Sequence, residues 1–577
     1  MTSGRLARTI LQLRPAQVAA RARLRAQRTA LRTGLPLAGR WLLSGPDPRS
    51  AVGWPAGFTP LDAAAWAGRP TGLRAGEISL LGQTRVLAPA KAAGGPDWAA
   101  ADWELPGAPL LWRFHLYYWD WAWALAGEDR DVFAAIWRSW RSRVRPGLGA
   151  AWSPYPASLR AWSFCGIYRA LAEGTAIEGA FLSQLAAHAG FLRRSLETDV
   201  GGNHLIKNLK ALAGLAVFFG DDALLAGVLR RLARQLAVQV LPDGGHYERA
   251  PAYHCQVLGD LLDLAGLLRA AGRAEPPGLA ETIMAMRRWL GVVLTPAGDV
   301  PLLNDGFPVT PRALAALAPA APPDGPLHLL PDTGLARATA GGWHLLADVG
   351  LPCPRDLPAH AHADTLSCLV HVDGEPLLID TGTSGYAPGG TRDRERSTAA
   401  HNTVELDRSD STEVWGAFRA GRRARVRGLS ARADAGTVTV EAAHDGYRGL
   451  PGRPLHHRRW ALCAGELRID DTVTGTGRHR VAVRWHLAPD ARPRLITGGA
   501  VVTTRTGQFT VTVKVSAGSA GGVAGDLTAD LTVDLGELSG GFGRTVRAPV
   551  LACDLHPELP VRISTVWRRI EPRQESM

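Results

Sequence analysis

Apolar residues recur at helical spacing from Trp112 to about Ala271. Leu205, Leu209, Leu212, Ala216 and Phe219 line one face of a predicted helix. Segments of the same kind cover 113–144, 158–173, 178–196, 222–240, 252–271 and 279–294, with Gly or Pro at most junctions. This succession of antiparallel helix pairs, with no strict sequence repeat, predicts a helical toroid or bundle. Prolines 319, 322, 323, 326 and 331 then mark a linker, and beyond it the period drops to two. Leu366, Cys368, Val370 and Val372 alternate with other residues, Asp373-Gly374 makes a turn, and Leu377-Leu378-Ile379 returns. That turn would set Asp380 opposite Ser367. Further alternating runs at 436–442, 466–473, 479–487, 499–505 and 508–515 predict an antiparallel β-sandwich.

A chain of 577 residues exceeds one ordinary core, so two or three domains are expected. The divisions read as a basic N-terminal arm and irregular lead-in over 1–100, a helical domain over 101–317, a Pro-rich linker over 318–340 and a sheet domain over 341–577. The 19 tryptophans against 8 tyrosines suggest sugar-stacking faces as well as core packing. A formal net charge of +12 favours a polyanionic partner: nucleic acid, anionic lipid or acidic polysaccharide. No Gly-rich phosphate loop, zinc-finger spacing or RNA-binding signature supports nucleic acid. The six dispersed cysteines form no CxxC pair, which argues against a thiolate zinc site or disulfide framework. Residues 1–44 are rich in arginine and show neither an export signal nor a membrane span. They read as a solvated arm, with an amphipathic helix on an anionic surface as the alternative.

The densest chemistry lies in His360-Ala361-His362-Ala363-Asp364, followed by Asp380 and by His401-Asn402. His362, Asp380 and His401 have donor types suited to zinc, with ordinary loop histidines as the other reading. In the helical half, Gly201-Gly202-Asn203-His204 precedes an amphipathic helix. Asn203 either caps that helix or projects, with His204, towards an anionic substrate. Pro251 is suited to start a helix with Tyr253 in its first turn, where a core tyrosine is the plainer role.

Taken together, HAHADTLS, VDGEPLLIDTGT, RSTAAHNTVELD and EVWGAFRAGRRARV, preceded by GGNHLIKNLKAL and DGGHYERAPAYH, resemble the heparinase II/III family of polysaccharide lyases. The resemblance covers about residues 100–570. It implies an α+β multidomain fold, an (α/α) toroid joined to an antiparallel β-sandwich with the active site between them. It also implies β-elimination on a uronate of an acidic polysaccharide, such as a glycosaminoglycan, alginate or capsular polymer. Carried over to this chain, Asn203 and His204 would neutralise the uronate carboxylate. Tyr253 would transfer the proton at C5, at the leaving O4, or at both. His360 would be a second acid/base or neutraliser. Zinc on His362, Asp380 and His401 would pin the cleft-facing loops. Glu248 and His254 would orient or pack, and Arg392, Arg394 and Arg396 read chiefly as solvated charges. The resemblance points to the cell envelope or periplasm, and the lack of an evident export signal makes the cytoplasm the alternative.

Two other classes compete. One is a non-catalytic glycan-binding or capsule-assembly protein on the same scaffold, and the other is a 2-His-1-carboxylate iron oxygenase on His362, Asp380 and His401. A toroid hydrolase lacks a convincing pair of catalytic carboxylates. The polymer, the endo or exo mode and the oligomeric state are not legible in the sequence.

Overall fold

A computed structural model describes residues 2–33, 36–66, 72–92, 94–127, 129–317, 324–517 and 526–571. Its first half is helical. The long helices Pro154–Ile167, Glu178–Arg194, Gly202–Phe219, Asp222–Gln239, Pro251–Ala270 and Leu279–Val293 fall on segments whose apolar spacing predicted them. The predicted segment 113–144 is broken instead into Leu110–Tyr118, a 3-10 turn Asp120–Leu125 and Arg130–Arg143. Trp119, at φ +62°, makes the break, and its indole is fully buried among Trp103, Trp121, Phe133, Trp140 and Phe164. Most of the tryptophan excess therefore serves the cores rather than an exposed sugar platform. Burial of each such side chain contributes about 1.5–3 kcal/mol.

The second half is built of antiparallel sheets. Five strands, Leu327–Leu330, Leu335–Ala340, Trp343–Asp348, Cys368–Val372 and Glu375–Leu378, form a meander. A nine-stranded sheet runs from Val426–Asp434 to Arg492–Ile496, and a four-stranded sheet includes Val404–Leu406 and Val481–His486. Their inward faces share one hydrophobic core, separate from that of the helices.

Three features differ from the sequence reading. Residues 318–323 of the expected linker lie outside the described residues, and from Leu327 that segment is already the first two strands of the meander. A register shift follows the Asp373-Gly374 turn, so Val370 pairs with Leu378. The bulge turns the chain by one residue before Asp380, which breaks the expected alignment with Ser367. The N-terminal arm is not simply solvated. Its helices Thr2–Ile10 and Pro15–Arg32 lie against both halves. Arg21 pairs with Asp199 of the helical half, while Arg14 and Arg8 pair with Asp356 and Glu413 of the sheet half. Among the described residues, no helix is long and apolar enough to cross a membrane.

Candidate active site

The helix Gly202–Phe219 opens on Gly201 and Gly202, at φ +76° and +56°. A Cβ on Gly202 would stand 1.9 Å from Glu248 Oε1, so only glycine admits the close approach that follows. The Gly202 N–H donates to Tyr247 Oη at 3.0 Å, and the Asn203 N–H donates to Glu248 Oε1 at 2.9 Å. Asn203 is thus in the first helical turn and does not cap it. Its Nδ2 donates to Glu248 Oε1 at 3.2 Å and Oε2 at 2.9 Å. Burial would raise the Glu248 pKa, but the charges of His360 and His246 and the hydrogen bonds from Asn203 hold it below the usual carboxylate range. One residue on, His204 Nδ1 lies 3.1 Å from Glu197 Oε1, and its ring packs at 4.3 Å on that of Tyr155. The His204 side chain is 35% exposed. Partial desolvation alone would lower its pKa, yet Glu197, then Glu248 and Asp199, raise it.

Pro251 occupies the first position of the helix Pro251–Ala270 and sets Tyr253 in its first turn. The Tyr253 ring stacks on His360 with centroids 3.8 Å apart, and its hydroxyl lies 2.7 Å from Tyr386 Oη. Burial pushes the Tyr253 phenol well above its usual pKa, with Tyr386 and Asp305 adding to the effect, so it rests as the neutral phenol. His360 is held on both nitrogens: Nδ1 lies 2.9 Å from Asp305 Oδ2 and Nε2 lies 3.4 Å from Glu248 Oε2. Asn203, Glu248, His360 and Tyr253 therefore form one continuous chain of contacts across the junction of the two halves.

Asp305 was not singled out in the sequence, yet it organises this junction. It is fully buried, meets His362 Nε2 at 2.9 Å through Oδ1, and takes the Arg392 guanidinium on both oxygens. Burial would raise its pKa, but Arg392, His360 and His362 hold it well below the carboxylate range. Arg392 is consequently buried rather than solvated, Arg396 is buried on the carbonyls of Ala361, Gly416 and Arg419, and only Arg394 stays at the surface, paired with Glu537. Asn304 completes the junction, accepting the His362 N–H at 3.0 Å and donating to the Arg249 carbonyl at 3.0 Å. The one available signal for Asp305 is its place in Asn304-Asp305-Gly306, a turn signature between the helical periodicity and the prolines.

The expected zinc donors lie close by. The rings of His362 and His401 are 5.3 Å apart, and His401 Nδ1 lies 2.9 Å from Asp380 Oδ2. His362 Nδ1, His401 Nε2 and Asp364 Oδ1 are buried, with no hydrogen-bond partner among the described residues. Burial, together with the other carboxylates, raises Asp364 to about 6 and Asp348 well above the usual carboxylate range. Unpartnered imidazole nitrogens beside crowded carboxylates fit a divalent cation by donor chemistry. The present separations are those of hydrogen-bonded side chains, and among the described residues no three such groups stand at metal-holding distance.

Comparison with known proteins agrees with this architecture. Residues 120–319 match the heparinase II/III N-terminus, and residues 322–562 match the heparinase II/III-like C-terminal domain. The fold superimposes on a crystal structure of heparinase III with a TM-score of 0.72 at 14% identity, covering 96% of this chain and 93% of that one. A heparan sulfate lyase HepC mutant from Pedobacter heparinus gives 0.61 at 16% identity, covering 97% and 89%. In sequence, FtsZ-localized protein C of Caulobacter vibrioides is 29% identical over 340 residues, which is 53% of this chain. The matched region spans 58% of that relative's length. With both halves matched in order and the fold shared, this chain belongs to the heparinase II/III family.

Proposed function

We propose that this protein is a polysaccharide lyase that cleaves uronate-containing acidic glycans by β-elimination. The observation that carries the reading is the stacking of Tyr253, from the helical half, on His360, from the sheet half, with Asn203 joined to His360 through Glu248. Elimination needs the C5 proton removed while the adjacent carboxylate is neutralised and the 4-oxygen is protonated. His204, whose pKa is raised, presents positive charge to the carboxylate. Asn203 supports it, exchanging its hydrogen bonds with Glu248 for substrate. Preorganised donors of this kind contribute about 3–4 kcal/mol each to a transition state that develops negative charge. His360 stays hydrogen-bonded to Asp305 through Nδ1, and its Nε2, once it has given up Glu248 and the proton shared with it on substrate entry, accepts the C5 proton. Tyr253, resting as a phenol, protonates the departing O4. The C5–H electron pair forms the C4=C5 double bond as the C4–O4 bond breaks, leaving a 4,5-unsaturated uronate.

Zinc on His362, Asp380 and His401 is part of the proposal, with Asp364 adjoining. When bound, it would supply cross-linking of the sheet-half loops. His362 reaches Asp305 through its other nitrogen, so the same loops keep His360 in place. The substrate class makes the cell envelope the proposed place of action.

The test is a panel of uronate polymers read by ultraviolet absorbance of the unsaturated product, with wild-type protein and Tyr253→Phe. Wild type should yield product from at least one polymer, and Tyr253→Phe should lose it by about 10²–10⁴-fold while still binding. No product from any uronate polymer would sink the reading. One observation favours a second reading, a non-catalytic glycan-binding or assembly protein: both Asn203 Nδ2 hydrogen bonds are engaged by Glu248. Tight polymer binding without product would select it.

A further inference from the structure

The docked N-terminal arm closes a cavity that the proposed chemistry does not use. On the helix Pro15–Arg32, Leu24, Gln27, Arg28, Leu31 and Arg32 recur at helical spacing and line it together. Between them and the segment 147–154 of the helical half lies a space of about 310 Å³. Its apolar walls are Leu24, Leu31, Leu42, Leu110, Phe114 and Phe191. Leu24 is 3% exposed yet belongs to neither hydrophobic core. Protein interiors leave few voids larger than a water molecule, so a space of this size is not packing slack. A dry cavity of about 150 Å³ admits the six carbons of benzene, and in proportion this one takes a chain of about twelve carbons.

The polar groups on the lining are few, and their charge has one sign. Arg28 and Arg32 stand exposed at the rim, and among the described residues no carboxylate lines the cavity. Trp152 also lines it and is 3% exposed, with its indole N–H buried and without a hydrogen-bond partner among the described residues. The Gln27 Oε1 is unpartnered in the same way. Buried polar atoms left unpaired are costly, so the lining suits a ligand that carries oxygen at its head. Water would satisfy those two atoms but would gain nothing from the apolar walls. A sugar would set most of its hydroxyls against carbon. Carbon walls, two guanidiniums at the rim and no opposing acid together select an acyl chain that ends in an anion.

We propose that this cavity binds a medium-chain fatty acid, its chain between the arm and the helical half and its carboxylate on Arg28 and Arg32. The bound chain touches both walls at once and so holds the arm in place. The site stands independently of the lyase reading, since Asn203, His204, Tyr253 and His360 do not line it.

The test is calorimetry of the full chain with octanoate, decanoate, dodecanoate and tetradecanoate, each below its micelle concentration. Affinity should rise about fourfold per added carbon and level off beyond about twelve carbons. Neutral dodecanol should bind about tenfold more weakly than dodecanoate, and Arg28→Gln/Arg32→Gln should weaken dodecanoate by a similar factor. Leu24→Trp, which fills the space, should abolish binding. In wild type, dodecanoate should slow amide hydrogen exchange across residues 15–32. No binding of any chain, affinity that keeps rising past tetradecanoate, or an arginine variant that binds like wild type overturns the proposal. Should Leu24→Trp undock the arm, the exposed arginine pair and the chain-length series decide without it. A response to anionic vesicles or to uronate oligosaccharides, with none to free dodecanoate, makes the surface a membrane or glycan contact and overturns the fatty-acid site.

Discussion

A buried carboxylate that serves two imidazoles and a guanidinium governs the chemistry available at this junction. Asp305→Asn keeps the shape but removes the charge that fixes His360 and balances Arg392. Activity should fall about 10–100-fold, as for the loss of other orienting partners. Leaving Arg392 buried without its counter-charge should cost about 3–5 kcal/mol, read by denaturant unfolding. An unchanged kcat would show that His360 needs no such anchor. His204 supplies a pH dependence of definite sign. Its folded-state pKa is raised, so its pairing with Glu197 stabilises the protein fully below the unfolded value of about 6.5. That contribution is lost as pH rises through the folded value. The same titration removes positive charge facing the uronate. KM should therefore climb through that window, and His204→Gln should abolish the climb while raising KM at low pH. A wild-type KM that is flat with pH would remove His204 from carboxylate binding.

Elements reveal which parts of this design were legible in the sequence. The helices between Pro154 and Val293 and the strands Thr437–His444, Glu466–Thr474, Val481–His486, Gly499–Thr504 and Gly507–Ala517 were readable because one periodic face meets one core, as in Leu205 to Phe219, whereas the long strands Leu455–Cys463, Thr545–Leu555 and Val561–Ile570 were not singled out. Asn203, Tyr253 and His360 stood out because amide, phenol and imidazole sit beside helix-start or turn signals. Asp305 did not, because its role arises from contacts at separations of 55, 57 and 87 residues, which no local pattern encodes. The bulge before Asp380 was hidden for a different reason: it lies within the hairpin itself, where the Asp373-Gly374 turn alone predicts an unbroken register. The arm was misjudged because its arginines resemble a solvated run, although three of them pair with carboxylates of the two halves and an unremarked glutamine is buried beneath them. Gln17 is buried, caps its own helix by accepting the Arg14 N–H at 2.9 Å, and donates to the Asp199 and Asp356 carbonyls at 3.5 and 3.3 Å. Those carbonyls lie four residues before Asn203 and four before His360. Gln17→Ala should cost about 1 kcal/mol and speed amide hydrogen exchange in both 195–202 and 352–359. Exchange that changes in one segment alone would mean the arm packs on that half without joining the two.

On the scale of the whole molecule, the helical core is an apolar mass that also takes in Leu330, Leu335, Leu346 and Leu369 of the meander, whereas the sheet half carries an electrostatic burden near its edge. Asp364 and Asp380 are buried, with the half-buried Asp348 near them, beside His362 and His401, and Asp348 and Asp364 are pushed towards protonation by their surroundings. Burying several carboxylates without a full set of partners is costly unless a cation joins them. A bound divalent ion would relieve that cost in the sheet half alone, since all five residues belong to it. Zinc present at 1,000 times its dissociation constant would add about 4 kcal/mol to that half. Protein purified without chelator should accordingly contain close to one zinc per chain by elemental analysis. Chelation should lower the unfolding temperature, and zinc should restore it. His401→Ala should lose the metal and its stabilisation, with hydrogen exchange rising around 360–364 and 380–384 but not in the helix Gly202–Phe219. Iron in place of zinc, with oxygen-dependent turnover, would point to an oxygenase. A chain without metal, unmoved by chelator and by added zinc, would leave the carboxylates to be neutralised by protonation. Its stability should then fall as pH rises through about 6, where Asp364 loses its proton. The metal-bound protein should instead gain stability over that range, as its ligands shed competing protons.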